Sequence, residues 1–258
     1  MSSVLMLIGR GSDANMKVVE YDSSKMESPY IFIGLPDVGL VGSIAVSYMI
    51  ESIKMTEIGY VESDLFPPLL LVRNGEVKNP IRLYSNTTNI IALISEMPIH
   101  PSLLQEFVTS IAEWFKKVNP RLVVSITGIP VQNRLNIDKP KVFYIATDEH
   151  ASSLMRSTQA LVFEEGILFG AYAAILKACM SRSIPTLTLF TQSHLNFPDP
   201  FASIEALEVL NKALNIGIDL NELREEAEMI RIKTRELMKQ TESMLAEPRL
   251  KATPTFYG

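Results

Sequence analysis

The sequence predicts an α/β fold: a mostly parallel sheet flanked by helices, then a long C-terminal helix and a flexible tail. Three observations carry this. Apolar runs of strand length alternate with segments of helical periodicity, which implies right-handed βαβ crossovers and a sheet covered on both faces. Residues 219–245, "DLNELREEAEMIRIKTRELMKQTESML", contain neither Gly nor Pro. Residues beyond 245 are interrupted by Pro248 and Pro254, which cannot continue a helix. The expected organisation is a globular domain over 1–216, a long helix over 217–245 and a tail over 246–258.

Composition bounds the function. The 258 residues are 47% apolar and 21% charged, enough for one large α/β domain with an appendage. A net charge of −5 argues against nucleic acid as the main partner, because phosphate binding needs a basic face. Cys179, the single cysteine, rules out an intrachain disulfide and a thiolate metal cluster within one chain. Its setting, "AYAAILKACM", marks it as a small buried hydrophobe. The start "MSSVLMLIGRGSD" has no basic n-region, and no stretch nears the roughly 18 apolar residues of a membrane span. A cytoplasmic protein with no membrane partner is expected.

Strands are predicted at 4–8 and 17–21 around the turn "GRGSDAN". "YIFIGL" (30–35) reads as a strand buried on both faces, and "IAVSYMIESI" (44–53) as a helix. Asn74-Gly75 in "LLLVRNGEVKN" predicts a hairpin. That hairpin and the Pro-interrupted "KNPIRLYS" suggest antiparallel additions at an edge. A strand at 89–95 leads to an amphipathic helix over 101–119, with Pro101 near its start, Ser102 as candidate cap, and Lys116 and Lys117 in its last turn. Strands at 121–129, 141–148 and 185–193 and helices at 166–182 and 203–215 complete the domain. In the long helix, Leu223, Ala227, Ile230, Thr234, Leu237, Thr241 and Met244 form a weak heptad seam. Such a helix either lies on its own domain or projects to pack against a copy of itself.

Two loops could carry chemistry. "GLPDVGLVGS" places Gly34, Gly39, Gly42 and Ser43 between a strand and a helix, where phosphate loops form. The spacing is neither G-x-G-x-x-G nor a P-loop, and no Lys or Arg occurs between Gly34 and Glu51. The glycines either frame a ligand or permit tight turning and close helix–sheet packing. "SHLNFPDP" places His194 and Asp199 beyond a strand's carboxyl end, either as an acid–base pair or with Asp199 capping the next helix. His100 and His150 have no partner at metal-ligand spacing, and Glu164-Glu165 reads as a solvated pair. No catalytic residue, metal or cofactor is expected.

Three stretches, in this order, resemble the archaeal proteasome assembly chaperone family, and within it the PbaB-like branch. They are "GLPDVGLVGSIAVSYMIESI", "EEGILFGAYAAILKACMSRSIPTLTLF", and "NFPDPFASIEALEVLNKALNIGID" followed by "EEAE". The resemblance spans about residues 15–245. It implies a nucleoside-phosphorylase-like α/β domain without enzymatic activity, homo-oligomers or heterodimers, with a homo-oligomer expected here, and proteasome core-particle α subunits as partners. It also gives meaning to the ending "TPTFYG". Phe256-Tyr257-Gly258 match the hydrophobic–Tyr–any-residue motif of proteasome activators, which docks between adjacent α subunits with its carboxylate against a pocket lysine. Two rivals stand beside this reading: a nucleoside- or nucleotide-processing enzyme using the loop Gly34–Ser43, and a coiled-coil scaffold.

Overall fold

The computed structural model describes residues 16–21, 26–86 and 89–229. In chain order the strands are β1 (Lys17–Glu20), β2 (Tyr30–Gly34), β3 (Thr56–Glu62), β4 (Leu71–Arg73), β5 (Glu76–Lys78), β6 (Ile81–Ser85), β7 (Ile90–Ser95), β8 (Leu122–Pro130), β9 (Val142–Ala146), β10 (Leu161–Val162) and β11 (Thr186–Ser193). The helices are α1 (Val41–Ser52), α2 (Pro101–Val118), α3 (Glu149–Met155), α4 (Gly170–Met180) and α5 (Pro200–Leu214). Helix resumes at 221 and runs to the last described residue, 229. The strand expected at 4–8 and the long helix beyond 229 lie outside the described residues.

Nine strands form one sheet in the order β1-β3-β6-β7-β2-β8-β11-β9-β10. Its centre, β7-β2-β8-β11, is parallel. Both flanks carry antiparallel pairings: β7 with β6, β6 with β3 and β3 with β1 on one side, β11 with β9 on the other. The sheet is therefore mixed, correcting the expectation of a mostly parallel one. Buried strands read as continuous apolar runs in either direction, so the pattern cannot report orientation. The short link from β6 to β7 does, because only antiparallel neighbours can be joined by a tight turn.

The edge additions also fall differently. "KNPIRLYS" becomes β6, an interior strand between β3 and β7; Pro80 precedes it and removes no ladder bond. The hairpin β4–β5 forms a separate two-stranded sheet, turned by Asn74 and Gly75 at φ 52° and 81°, as a type I′ turn requires.

Side chains alternate across the sheet. Phe32, Ala92, Val124, Ile126, Leu187 and Leu189 face α1, α3 and α5; Ile31, Ile33, Leu93 and Val123 face α2 and α4. Helix α2 buries Phe107, Ile111, Trp114 and Phe115. Its cap is His100, whose Nδ1 accepts from the Ser102 amide at 3.3 Å, rather than Ser102. Pro101 occupies the first helical position, which leaves the preceding residue as the cap. Helix α4 begins at Gly170, not 166, because Phe169 is extended. Helix α5 begins three residues before the expected 203, at Pro200. The α1-side core also takes in Ile218, Leu220, Leu223 and Ala227, so the first two seam positions pack on the chain's own domain. No helix among the described residues is long and apolar enough to cross a membrane.

Candidate functional site

Both candidate loops lie at the carboxyl end of the parallel strands. After β2 the chain passes through a short 3-10 turn, Val38–Leu40, into α1 at Val41, so Gly42 and Ser43 belong to the helix's first turn. Gly39 has φ 63°, and a Cβ there would lie 1.8 Å from Ser193 Oγ. A Cβ on Gly42 would lie 2.1 Å from the Ile126 carbonyl oxygen and 2.5 Å from the Tyr172 hydroxyl. One on Gly34 would meet the Gly42 carbonyl oxygen at 2.6 Å. The space each missing side chain would fill is thus taken by the chain's own atoms. Ser43 has a buried hydroxyl with no hydrogen-bond partner among the described residues.

Tyr172 clamps this turn from α4. Its hydroxyl accepts from the Leu35 amide at 2.7 Å and donates to the Leu35 carbonyl at 3.1 Å. Burial pushes the phenol's pKa up, the Leu35 amide opposing, so the ring is neutral and can serve both bonds. From α5, the Ser203 hydroxyl donates to the Val41 carbonyl at 3.0 Å. Thr127 of β8 donates to the Asp37 carboxylate at 2.8 Å.

His194 and Asp199 come together, but not as an acid–base pair. Asp199 is the N-cap of α5 and accepts from the Ala202 amide at 3.1 Å. Its two oxygens also take Arg134 Nε at 2.6 Å and Nη2 at 2.9 Å. His194 contributes only its backbone amide, at 3.2 Å, while its ring stands edge-on to Phe197. Burial lowers the His194 pKa, Asp199 opposes this, and Arg134 adds to it. A carboxylate already accepting four hydrogen bonds is a structural anchor; the pair ties the loop after β8 to the loop after β11. Sequence reasoning missed Arg134, since 65 residues separate it from Asp199 and no local spacing links them.

The other candidates scatter. His100 caps α2 and His150 lies on α3. Glu164 and Glu165 are exposed. Cys179 is buried, and burial raises its thiol pKa, with Thr186 and Arg182 opposing. Among the described residues no group of three or more His, Cys, Asp or Glu could hold a metal ion. Phe256, Tyr257 and Gly258 lie outside the described residues.

A family model described as the PAC2 family matches residues 31–238. The chain belongs to the PAC2 family. An uncharacterised relative, MJ0106 of Methanocaldococcus jannaschii, is 32% identical over 235 residues, 91% of this chain and 96% of that one. Among solved PAC2-like structures, Pyrococcus furiosus PbaA, described as an archaeal homolog of proteasome-assembly chaperone, is 30% identical with a TM-score of 0.76. The match covers 89% of this chain and 99% of PbaA. Pyrococcus furiosus PbaB, described as an archaeal proteasome activator, has a TM-score of 0.75 over the same shares at 21% identity. Identity is therefore higher to PbaA than to PbaB, and the PbaB likeness shows the fold alone.

Proposed function

We propose that this PAC2-family chain is a non-catalytic assembly chaperone or ATP-independent activator of the proteasome core particle, working in the cytoplasm. One observation carries the reading: 30% identity along nearly the whole of PbaA, itself described as a homolog of a proteasome-assembly chaperone. The glycine turn supports it, since Gly34, Gly39 and Gly42 are crowded by the chain's own atoms and serve packing rather than a nucleotide. On this reading the nucleoside-phosphorylase-like architecture is kept as a scaffold without the chemistry.

Docking falls to Phe256, Tyr257 and Gly258, which enter a pocket between α subunits. Burying the two rings is worth roughly 1.5–3 kcal/mol each. Association costs about 4–15 kcal/mol, so one tail binds weakly and several tails on a homo-oligomer bind well.

The test uses closed-gate core particles and chain ending at Gly258. Co-sedimentation and stimulated fluorogenic-peptide cleavage are expected with the unaltered chain, and both should be lost with Tyr257→Ala. Stimulation that survives the substitution rejects tail docking. No binding by the unaltered chain rejects the core particle as partner.

A further inference from the structure

At the amino ends of β2 and β7 the surface opens into a cavity of about 130 Å³, lined by Tyr30, Phe32, Ile90, Leu214, Asn215 and Ile216. Tyr30 and Ile90 are paired neighbours in the sheet. Leu214 ends α5, and Asn215, at φ 52°, caps the helix and turns the chain. The walls are therefore mostly apolar and aromatic, on backbone fixed by sheet and helix. A dry apolar cavity of about 150 Å³ accepts benzene, so this volume suits a single aromatic ring.

A cation stands beside the cavity. The Arg121 guanidinium lies 5.6 Å from the centre of the Tyr30 ring. Its backbone amide donates to the Pro29 carbonyl at 2.9 Å, which fixes its place next to Tyr30. The side chain is exposed and has no ion pair with another described residue. A guanidinium stacked on a ring keeps its in-plane donors for a carboxylate. The site thus suits an occupant with a ring and, shortly after it, a negative charge.

On the proposed function one segment of this chain has that chemistry: Phe256-Tyr257-Gly258, with the carboxylate on Gly258. No other aromatic residue follows Phe201. The reach also agrees. A helix from 221 to 245 would rise about 36 Å, and residues 246–256, at roughly 3.3 Å each, extend about as far. The tail is thus long enough to return to the start of that helix, which closely follows Ile216.

We propose that the chain's own Phe256 seats reversibly in this cavity, with the Gly258 carboxylate on Arg121. The contact is autoinhibitory, since one tail end cannot occupy two pockets at once. Only tails released from the cavity bind a core particle, so the apparent affinity falls by the released fraction. The inference deepens the proposed function and rests on its docking motif.

The experiment uses the full chain ending at Gly258, with photoreactive benzoylphenylalanine placed at Phe256. Irradiation should cross-link it to residues 30–32, 90 or 214–216, at the mass of a single chain on a denaturing gel. Arg121→Ala, at an exposed position, should leave thermal melting unchanged and lower this cross-link several-fold, with Arg121→Lys retaining most of it. In the chain with Phe256 unaltered, Arg121→Ala should raise stimulated peptide cleavage several-fold at subsaturating concentration. No cross-link to the cavity residues would overturn the inference, and cross-links to a second chain would overturn the assignment to the chain's own tail. Stimulation that is lost with Tyr257→Ala, while Arg121→Ala changes neither readout, would leave the proposed function standing and sink this contact. A cavity cross-link without any binding to core particles would support the contact and reject the proposed function.

Discussion

Arg134 grips Asp199 through two nitrogens, at 2.6 and 2.9 Å, in an ion pair almost wholly removed from solvent. The guanidinium's Nη1 also donates to the Ile137 carbonyl at 2.6 Å. One contact thereby holds the loop after β8, the loop after β11 and the first turn of α5. Removing one partner strands the other charge in a dry setting. Asp199→Ala should cost about 3–5 kcal/mol of stability, measured by urea unfolding. Arg134→Met with Asp199→Leu should recover much of that loss, because no unpaired charge remains buried. A single substitution costing under about 1 kcal/mol would show that water reaches the pair.

His194 makes stability depend on pH. Burial holds its folded pKa below the ordinary value of 6.5, with Arg134 adding to and Asp199 opposing that shift. The native state therefore binds fewer protons than the unfolded chain in this window. The stabilisation is present above 6.5 and is lost as pH falls from there through the lower folded value. The melting temperature should fall more steeply between about pH 7 and 5 in the unaltered chain than in His194→Gln. Parallel slopes would remove His194 as the source.

Crowding at the glycine turn separates two kinds of glycine. Gly42→Ala drives a methyl group into the Ile126 carbonyl and the Tyr172 hydroxyl, and should cost about 1–3 kcal/mol or more. Gly75 meets nothing within 4 Å but sits at φ 81°, so Gly75→Ala should cost only the backbone strain, about 1–2 kcal/mol. Chemical denaturation of both variants checks the order. If Gly42→Ala is instead neutral, and nucleosides or phosphate raise the melting temperature, the turn is a ligand cradle.

Much of the fold was legible because its causes are local. Asn74-Gly75 predicts its hairpin because few other residues tolerate two consecutive positive φ values. "YIFIGL" predicts a central strand because an apolar run of that length has to be covered on both faces. The amphipathic spacing of Phe107, Ile111, Trp114 and Phe115 predicts α2. The directions of β6 and β9 were not legible, since apolar character is blind to chain sense. Nor was the fate of the seam: Leu223 and Ala227 suit a coiled coil or a domain core equally well, and here they join the core.

The sequence by itself determined most of the helices and strands, though not β3, α3 or β10, together with the glycine-rich turn between β2 and α1 and the motifs that carry the family. Those follow from backbone sterics and hydrophobic period, which act over a few residues. Tertiary structure alone decided that Gly42 makes way for Ile126 and Tyr172, that Asp199 answers to Arg134, and that the hairpin turns Val72 and Val77 outward. Each of these joins residues far apart in the chain, and only packing and charge pairing in three dimensions bring them within reach.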